Sequence, residues 1–586
     1  MRRAYLFGLW SSLCLLSLGS CSRAPTVLVS VEDIPAETAS LHVMPLHAGL
    51  PPHSELAPYD LPQPAPGRTT FLLRLPDSFV GDVTVEVGAY KGAGGSSCLL
   101  ATGSGKLPDL QGQDTNLRVP VQPVTDTVCT GQRPLLLNAT PSLGLIDGNE
   151  TVQLSGWGFT PSTVAQFAGK EAQTQFVSAS KISALTPPRV AIGPTEINVV
   201  NKNGQSHSRG DLFRYYASTV DFGAVPFNPS SGAKNVSDVI IGNFLPKNPL
   251  VSASLVTSSK SLNIIGIVWM TPAQPIPMID NNAVSPGPGT GPSGLATADM
   301  DGDGISDVVV ALSGTDQVQV FLSDGNGGLT AQPAMGVQKQ PEGVVASDLN
   351  GDGRPDIVSA NFGADSISLL YTKPGGGFLP MGFVKTSSPA AANQPISVTV
   401  SDVNQDGIKD IAVVNQGGGN INLFIGLGGG LINPSPITLL VGTMPTQIAA
   451  TDVNRDGIDD LLVVNKGSNN IQVLVNRSKK GSGTINFDTY TLATDTTPES
   501  MAFSDLNGDG ISDLIVPCST TNTVNVFLNK SPDGLKGATA QKFAMPSAPV
   551  CTSVRLVAAM DIFKDGQMDL AGLCTTGGGI LKNQTL

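Results

Sequence analysis

An acidic nine-residue segment is present in six copies in the C-terminal part of this 586-residue chain, and it constrains the fold more than any other feature. Each copy, called an acidic frame below, has Asp at positions one, five and nine and Gly at position six. The copies begin at Asp299, Asp348, Asp402, Asp452, Asp505 and Asp561, so the intervals are 49, 54, 50, 53 and 56 residues. Self-similarity at such a period indicates a repeat architecture, in which each repeat is one small structural unit.

Each acidic frame is followed at once by a β-forming run and then by a second, alternating run. The first unit reads DVVVAL and then QVQVFL, and the fifth reads DLIVPC and then VNVFLN. About fifty residues accommodate four strands of five or six residues with their turns. Because four-stranded sheets repeated around an axis form a β-propeller, the pattern predicts an all-β fold.

The number of blades depends on two further segments. Asp238 in VSDVIIGNF resembles the ninth Asp of a frame that has lost its other acids, which predicts one eroded unit without a metal site. One eroded, five intact and one worn unit make a seven-bladed propeller. Since the chain stops soon after GGGILKNQTL, we expect RYYASTVDFGAV near residue 220 to supply the last outer strand. That strand would close the ring and remove exposed sheet edges.

The acidic frames offer oxygen ligands and no soft ones. Ca²⁺ takes six to eight oxygens in irregular geometry, and the Gly at position six permits the sharp turn around the ion. A closing acid at position nine, followed by a strand, argues against EF-hand and dockerin loops. We expect about five structural Ca²⁺ sites, with side-chain ligands at positions one, three, five and nine and the backbone carbonyl at position seven.

The predicted ligands are Asp299, Asp301, Asp303, Ile305 and Asp307 in the first loop; Asp348, Asn350, Asp352, Arg354 and Asp356 in the second; Asp402, Asn404, Asp406, Ile408 and Asp410 in the third; Asp452, Asn454, Asp456, Ile458 and Asp460 in the fourth; and Asp505, Asn507, Asp509, Ile511 and Asp513 in the fifth.

An alternative for these loops is that the acids form strand-capping turns without metal. Crowded carboxylates would then repel one another and have raised pKa values, a repulsion that Ca²⁺ converts into attraction. Five ions would also add +10 to the formal net charge of -13, leaving about -3. In the sixth frame Phe563 stands at a ligand position, so the interpretation without metal is favoured there.

The frame D-x-[DN]-x-[DN]-G-x-x-D before a hydrophobic strand resembles the FG-GAP/VCBS repeats of the integrin α-subunit propeller and its bacterial relatives, over residues 217–586. The resemblance implies calcium loops on one face of the propeller and partners docking mainly on the opposite face.

Residues 134–216, with TPSLGLIDGNETVQLSGWGF and a Pro187-Pro188 turn, are similar to an IPT/TIG domain, an Ig-like sandwich. Strand-like runs within 21–130 predict a further N-terminal β-sandwich.

The N-terminus resembles a bacterial lipoprotein signal. Arg2 and Arg3 precede an apolar run too short to span a bilayer, and LGSC ends at Cys21. The resemblance implies that residues 1–20 are removed and that a lipidated Cys21 anchors the chain to a membrane. Ser22 favours the outer membrane or cell surface. The alternative is an ordinary cleaved signal with a chance cysteine.

The remaining chain is expected in a bacterial cell envelope, outside the cytoplasm, where disulfides form. Cys98 with Cys129 is the preferred pair.

The sequence has no GxSxG, HExxH or phosphate-loop motif, and its four histidines precede the predicted propeller, so we expect no catalytic site. The RGD tripeptide at Arg209 is interpreted as a chance match.

These observations favour a calcium-stabilised, lipid-anchored cell-surface protein that binds an unknown protein or glycan in adhesion or envelope assembly. No nucleic-acid partner is expected. Two alternatives stay open. A polysaccharide hydrolase or lyase could hold its acids at the propeller centre, and a structural spacer could merely hold the propeller away from the membrane.

Overall fold

The computed structural model describes most of the chain from residue 134 onward and the strands that precede it. The described residues are 26–34, 40–47, 59–62, 67–74, 83–90, 99–107, 115–120, 122–123, 134–227 except 190, and 236–585 with gaps at 243, 246–252, 272–277, 374–376, 387–392, 479–483, 531–533, 547–550, 564 and 575–577. The predicted signal segment 1–20, Cys21, Cys98 and Cys129 lie outside these residues. Two compact units divide the chain, Met1–Ala217 and Ser218–Thr585.

Strands dominate the described residues, as predicted. A three-residue 3-10 turn, Phe362–Ala364, is their one helical element, and no helix among them is long and apolar enough to cross a bilayer. The first eight strands form two sheets, with orders β4-β1-β7 and β3-β2-β5-β6-β8. Their bounds are β1 Thr26–Ile34, β2 Ser40–His47, β3 Tyr59–Pro62, β4 Gly67–Arg74, β5 Val83–Tyr90, β6 Leu99–Leu107, β7 Thr115–Pro120 and β8 Gln122–Pro123.

The next nine strands also form two sheets, with orders β14-β15-β11-β9 and β10-β17-β16-β12-β13. Between them the aromatic rings of Phe167, Phe213 and Tyr215 pack edge to face in a buried core. The bounds are β9 Leu135–Thr140, β10 Leu143–Leu145, β11 Thr151–Trp157, β12 Val164–Phe167, β13 Lys170–Glu171, β14 Gln173–Ser178, β15 Lys181–Leu185, β16 Gly193–Val200 and β17 Ser206–Tyr216.

The RGD tripeptide lies within strand β17. The guanidinium of Arg209 donates hydrogen bonds to both carboxylate oxygens of Asp211, at 2.7 and 2.6 Å. The charges of the two residues are therefore paired with each other along the strand.

Seven sheets of four main strands follow in the described part of the second unit. Their orders are β19-β20-β21-β22, β23-β24-β25-β26, β28-β29-β30-β31, β32-β33-β34-β37, β38-β39-β40-β41, β42-β43-β44-β45 and β18-β48-β47-β46; β27 also pairs with β25, and β35 with β36.

The bounds of these strands, in chain order, are β18 Phe222–Phe227, β19 Asp238–Ile241, β20 Ala253–Ser259, β21 Ile264–Thr271, β22 Met278–Val284, β23 Pro292–Ala298, β24 Asp307–Leu312, β25 Gln317–Ser323, β26 Leu329–Ala331, β27 Met335–Gly336, β28 Pro341–Ser347, β29 Asp356–Asn361, β30 Ser366–Thr372, β31 Phe378–Lys385, β32 Pro395–Ser401, β33 Asp410–Asn415, β34 Asn420–Phe424, β35 Gly426–Gly428, β36 Leu431–Ile432, β37 Ile437–Leu440, β38 Pro445–Thr451, β39 Asp460–Asn465, β40 Asn470–Asn476, β41 Phe487–Ala493, β42 Ala502–Ser504, β43 Asp513–Cys518, β44 Thr523–Phe527, β45 Gln541–Ala544, β46 Val554–Met560, β47 Asp569–Cys574 and β48 Gly578–Asn583.

Each repeat has the strand order that its sequence predicts. An inner strand ends at the acidic frame, and the second strand begins at the ninth Asp of the frame, as β24 does at Asp307. All six residues of β24 are buried, and the same holds for β29, β33, β39, β43 and β47. This burial explains why these runs are continuous in apolar residues instead of alternating.

The last sheet combines both ends of the second unit. Strand β18 pairs antiparallel with β48, from Phe222 opposite Asn583 to Phe227 opposite Gly578. The inner strand of this sheet, β46, lies beside β19 and β42. The prediction that the segment near residue 220 supplies the closing strand is confirmed, and the second unit has a β-propeller-like arrangement.

The interpretation of Asp238 as the ninth Asp of an eroded frame is wrong. Ninth Asp residues begin second strands, whereas Asp238 begins the inner strand β19. Its carboxylate accepts the N–H groups of Val239 and of Leu295 on the neighbouring inner strand, each at 2.8 Å. Burial raises the pKa of Asp238 to about 6. An Asp followed by a β-forming run occurs both at the start of this inner strand and at the starts of second strands. The local sequence therefore did not distinguish an inner strand from a second strand.

Candidate metal centres

The first acidic frame folds into a turn around the Asp299 side chain. The two oxygens of Asp299 accept the backbone N–H groups of Gly302 at 2.7 Å, Asp303 at 3.0 Å and Gly304 at 2.8 Å. One oxygen of Asp303 accepts the N–H of Ile305 at 2.8 Å. The backbone therefore holds the acids at positions one and five, and the predicted carbonyl ligand at position seven belongs to a residue whose N–H is already engaged.

The same arrangement recurs in the other loops. The position-one acid accepts the N–H of the Gly at position six in each case, at 2.8 to 3.0 Å, from Gly353, Gly407, Gly457, Gly510 and, in the sixth loop, Gly566. The position-five acid accepts the N–H of position seven, from Arg354, Ile408, Ile458, Ile511 and Gln567. Among the described residues, all six frames thus share these two hydrogen bonds.

Backbone conformation explains the Gly at position six. Gly304 has φ 83, in the left-handed region that a residue with Cβ adopts only at a cost. Position four is also left-handed, and there the chain carries Gly in three frames but Gln405 with φ 59 and Arg455 with φ 60 in two others. Position six therefore requires Gly more strictly than position four does.

The ninth Asp joins the loop to the third strand of its sheet. Asp307 is fully buried, and its two oxygens accept the N–H groups of Met300 and Ser323 at 2.8 Å each. The equivalent acids are Asp356, Asp410, Asp460, Asp513 and Asp569, whose partners at or just after the end of the third strand are Thr372, Gly426, Asn476, Asn529 and Asn583. This acid is a structural element of the sheet as well as a candidate ligand.

In the first loop the acids at positions one, three and nine lie close together. Asp299, Asp301 and Asp307 each offer an oxygen, and these oxygens lie within 4.8 Å of one another. Oxygens that share one Ca²⁺ lie about 2.3 to 2.6 Å from the ion, so such separations fit a common site. In three other loops the Asn at position three donates to the acid at position five, as Asn350 does to Asp352 at 3.3 Å. The side-chain oxygens that each loop gathers therefore fit a hard divalent cation.

The ninth acids have raised pKa values. Burial is the largest cause, and the neighbouring acids of the same loop add to it, while the backbone hydrogen bonds act in the opposite direction. The pKa rises to about 6 for Asp307 and Asp410, to about 7 for Asp460 and to about 8 for Asp513. A cation among these carboxylates would favour their charged forms.

A polar cavity lies at the other ends of the inner strands. It has a volume of about 1020 Å³ and is lined by residues near the starts of these strands, whereas the acidic loops follow the strand ends. In its wall Lys260 pairs with Glu342 at 2.5 Å, and Glu499 pairs with Lys466 at 2.8 Å and Arg555 at 3.9 Å. The sequence pattern did not single out these residues, although a Pro begins β23, β28, β32 and β38 and marks the start of the inner strand in these four repeats.

The described cysteines form a disulfide that the sequence did not predict. Cys551, which precedes β46, is bonded to Cys574 at the end of β47, so the bridge lies within the closing sheet. Cys518 is buried and free, and burial raises the pKa of its thiol to about 12. The predicted partners Cys98 and Cys129 lie outside the described residues.

Comparison with known protein families identifies both predicted domain types. Residues 299–359, 348–413, 402–463, 452–516 and 505–572 match the FG-GAP-like repeat, and residues 134–215 match the IPT/TIG domain. The chain contains FG-GAP-like repeats and an IPT/TIG domain. The resemblances to FG-GAP repeats and to an IPT/TIG domain are therefore confirmed. FG-GAP-like repeats combined with an IPT/TIG domain indicate an extracellular protein of the interaction or adhesion type.

No curated protein matches this chain, whereas solved structures of low sequence identity do resemble it. A functionally unknown protein from Desulfotomaculum acetoxidans is 14% identical, with 60% of this chain and 96% of that chain covered and a TM-score of 0.37. The structure of BBS1N in complex with ARL6DN is 11% identical, covers 62% of this chain and 97% of that chain, and has a TM-score of 0.41. An auxiliary nutrient binding protein from Bacteroides ovatus is 12% identical, covers 77% of this chain and 98% of that chain, and has a TM-score of 0.32.

Proposed function

We propose that this protein is a calcium-stabilised, lipid-anchored protein of the bacterial cell surface that binds another macromolecule, a protein or a glycan. The observation that carries the proposal is the set of five FG-GAP-like loops, which repeat one hydrogen-bonded arrangement of acids in an extracellular type of domain. The lipid anchor rests on the sequence around Cys21.

Calcium is supported by the donors that each loop gathers. Three or four acids stand in nine residues, and backbone N–H groups already orient the acids at positions one, five and nine. The residues that would hold the ion are those at positions one, three, five and nine, with the carbonyl of position seven. The ion would supply the positive charge that buried carboxylates lack and would tie the turn between the inner and second strands.

The ligand surface is proposed at the cavity, on the side away from the acidic loops. Its charged side chains are mixed in sign and mostly paired, which suits a polar partner more than an apolar one. Arg555 is half exposed. If Arg555 moves to a ligand, Glu499 still pairs with Lys466 and its charge stays compensated. Arg555 is therefore the charged group that can engage a ligand with least disturbance of the wall.

A glycan and protein array probed with the chain from residue 24 tests the proposal. We expect binding to at least one class of probe, weaker binding by Arg555→Ala, and unchanged binding by the control Lys542→Ala, whose partner Asp495 is outside the cavity. Calorimetry should show uptake of about five Ca²⁺, and EDTA should lower both the melting temperature and the binding.

Other results would contradict the proposal. Calcium uptake without binding to any probe would favour the structural spacer, and turnover of a polysaccharide would establish the hydrolase or lyase. No calcium uptake, together with a melting temperature that EDTA leaves unchanged, would remove the calcium part of the proposal.

A further inference from the structure

The sixth acidic loop keeps the backbone hydrogen bonds of the other five but lacks one of their side-chain ligands. The oxygens of Asp561 accept the N–H groups of Asp565 at 3.1 Å and Gly566 at 3.0 Å, and Asp569 accepts that of Ile562 at 2.9 Å. Position three, however, is Phe563, whose side chain offers no oxygen. The loop thus keeps three acids but lacks the side-chain oxygen at position three that completes the candidate Ca²⁺ ligands in the other loops.

A lysine from the third strand of the same sheet contacts this loop. The ammonium of Lys582 on β48 lies 3.3 Å from the Asp565 carboxylate and 4.4 Å from the centre of the Phe563 ring. An ammonium over an aromatic face is attracted by the ring electrons. Lys582 therefore contacts the side chains of both position three and position five.

The corresponding residue is uncharged in the five intact units. Lys582 directly precedes Asn583, whose N–H binds the ninth Asp of its loop. The residues that precede the equivalent partners in the first to fifth units are Leu322, Tyr371, Ile425, Val475 and Leu528. Within these six units the lysine therefore occurs only where Phe replaces the ligand at position three.

Two arginines approach other loops without the same combination. Arg354 lies 3.6 Å from Asp352, and Arg477 lies 3.5 Å from Asp456. Both loops keep Asn at position three, and Arg477 also pairs with Asp488 at 3.1 Å. These arginines therefore lie beside loops that have all their candidate side-chain ligands, whereas Lys582 lies beside the loop that lacks the ligand at position three.

We propose that the Lys582 ammonium takes the place of the metal ion in the sixth loop. The inference rests on the proposed calcium binding of the other five loops. A single charge from the chain itself offsets the three acids, and Phe563 shields that charge on one side. Because this loop belongs to the sheet that joins both ends of the second unit, closure of the ring does not depend on calcium there.

Counting bound calcium on the full chain tests the substitution. We expect five ions for the wild type, six for the double variant Phe563→Asp with Lys582→Leu, and four when the pair is transplanted into the third unit by Asn404→Phe with Ile425→Lys. Six ions in the wild type, or an unchanged count in both double variants that circular dichroism shows to be folded, would overturn the proposal.

A second measurement in EDTA separates this inference from the calcium proposal. Lys582→Leu should lower the melting temperature in EDTA, because three acids are left uncompensated, and Lys582→Arg should restore most of the loss. Equal melting temperatures for wild type and Lys582→Leu would refute the role of the lysine. If the wild type binds no calcium at all, the calcium part of the proposed function fails, but this comparison still decides what Lys582 does.

Discussion

The ninth-position acid is predicted to stabilise the sheet even without a metal ion, and Asp307→Asn tests this. The side chain of Asp307 is fully buried, and its oxygens accept the N–H groups of Met300 and Ser323 at 2.8 Å each. Asparagine keeps the shape but replaces one oxygen with an NH₂ group, which is a donor. One of the two backbone N–H groups then faces another donor.

The expected size of the effect follows from these two contacts. A hydrogen bond to a charged group contributes about 1.5 to 3 kcal/mol, and an unsatisfied buried donor costs about 1 to 3 kcal/mol. Asparagine also removes the buried charge whose desolvation raises the pKa of Asp307, which offsets part of this loss. We therefore expect Asp307→Asn to lower the free energy of unfolding by about 1 to 3 kcal/mol. Asp301→Asn is the matched control, since Asp301 is exposed and the other four intact loops carry Asn at this position. Its effect without metal should stay within about 0.5 kcal/mol.

Urea unfolding in excess EDTA, followed by circular dichroism, compares the wild type with the two variants. Because the chain has several domains, transition midpoints and slopes are the quantities to compare. We expect a clearly lower midpoint for Asp307→Asn alone. If the two variants unfold together in EDTA, the hydrogen bonds of Asp307 contribute no stability, and the acid serves metal binding only.

Three further predictions concern single positions. Gly353→Ala should destabilise the protein by about 1 kcal/mol in thermal melts, because φ is 82 and no heavy atom lies within 4 Å of the added Cβ, so backbone strain alone acts. Cys551→Ser with Cys574→Ser should cost about 3 kcal/mol in urea unfolding, since the disulfide closes a loop across a sequence separation of 23. The pKa of Asp238 is raised from 3.8 to about 6, so its protonated form favours the folded state. That stabilisation should be present below pH 3.8 and be lost as the pH rises through 6. Asp238→Asn does not titrate at this position, so the loss should be absent from the stability curve of the variant and visible in the difference between the wild-type and variant curves.

Much of the fold could be predicted because its signals are local and repeated. A strand-forming run after each acidic frame predicted the second strands from β24 to β47, and their complete burial follows from their place between neighbouring sheets. The closing strand β18 could also be predicted, because the last unit is one strand short and an unassigned run precedes the first repeat.

The errors arose where local sequence is the same in different places of a sheet. DVIIGNF and DIVSANF are similar runs, yet the first begins an inner strand and the second begins a second strand. Only pairing with neighbouring strands distinguishes these positions. The link from Asp238 to Leu295 spans two sheets, and no sequence pattern of a single repeat contains it.

The amino-acid sequence by itself determined the repeat, the turn conformation of the acidic loops and the identity of their candidate ligands, because each depends on residues within nine positions. The tertiary structure decided which distant residues meet: Asp307 with Ser323, Cys551 with Cys574, and Lys582 with Phe563. The physical reason is that hydrogen bonds, disulfides and charge pairs act over a few ångströms in space, and the pairing of strands sets which residues come that close.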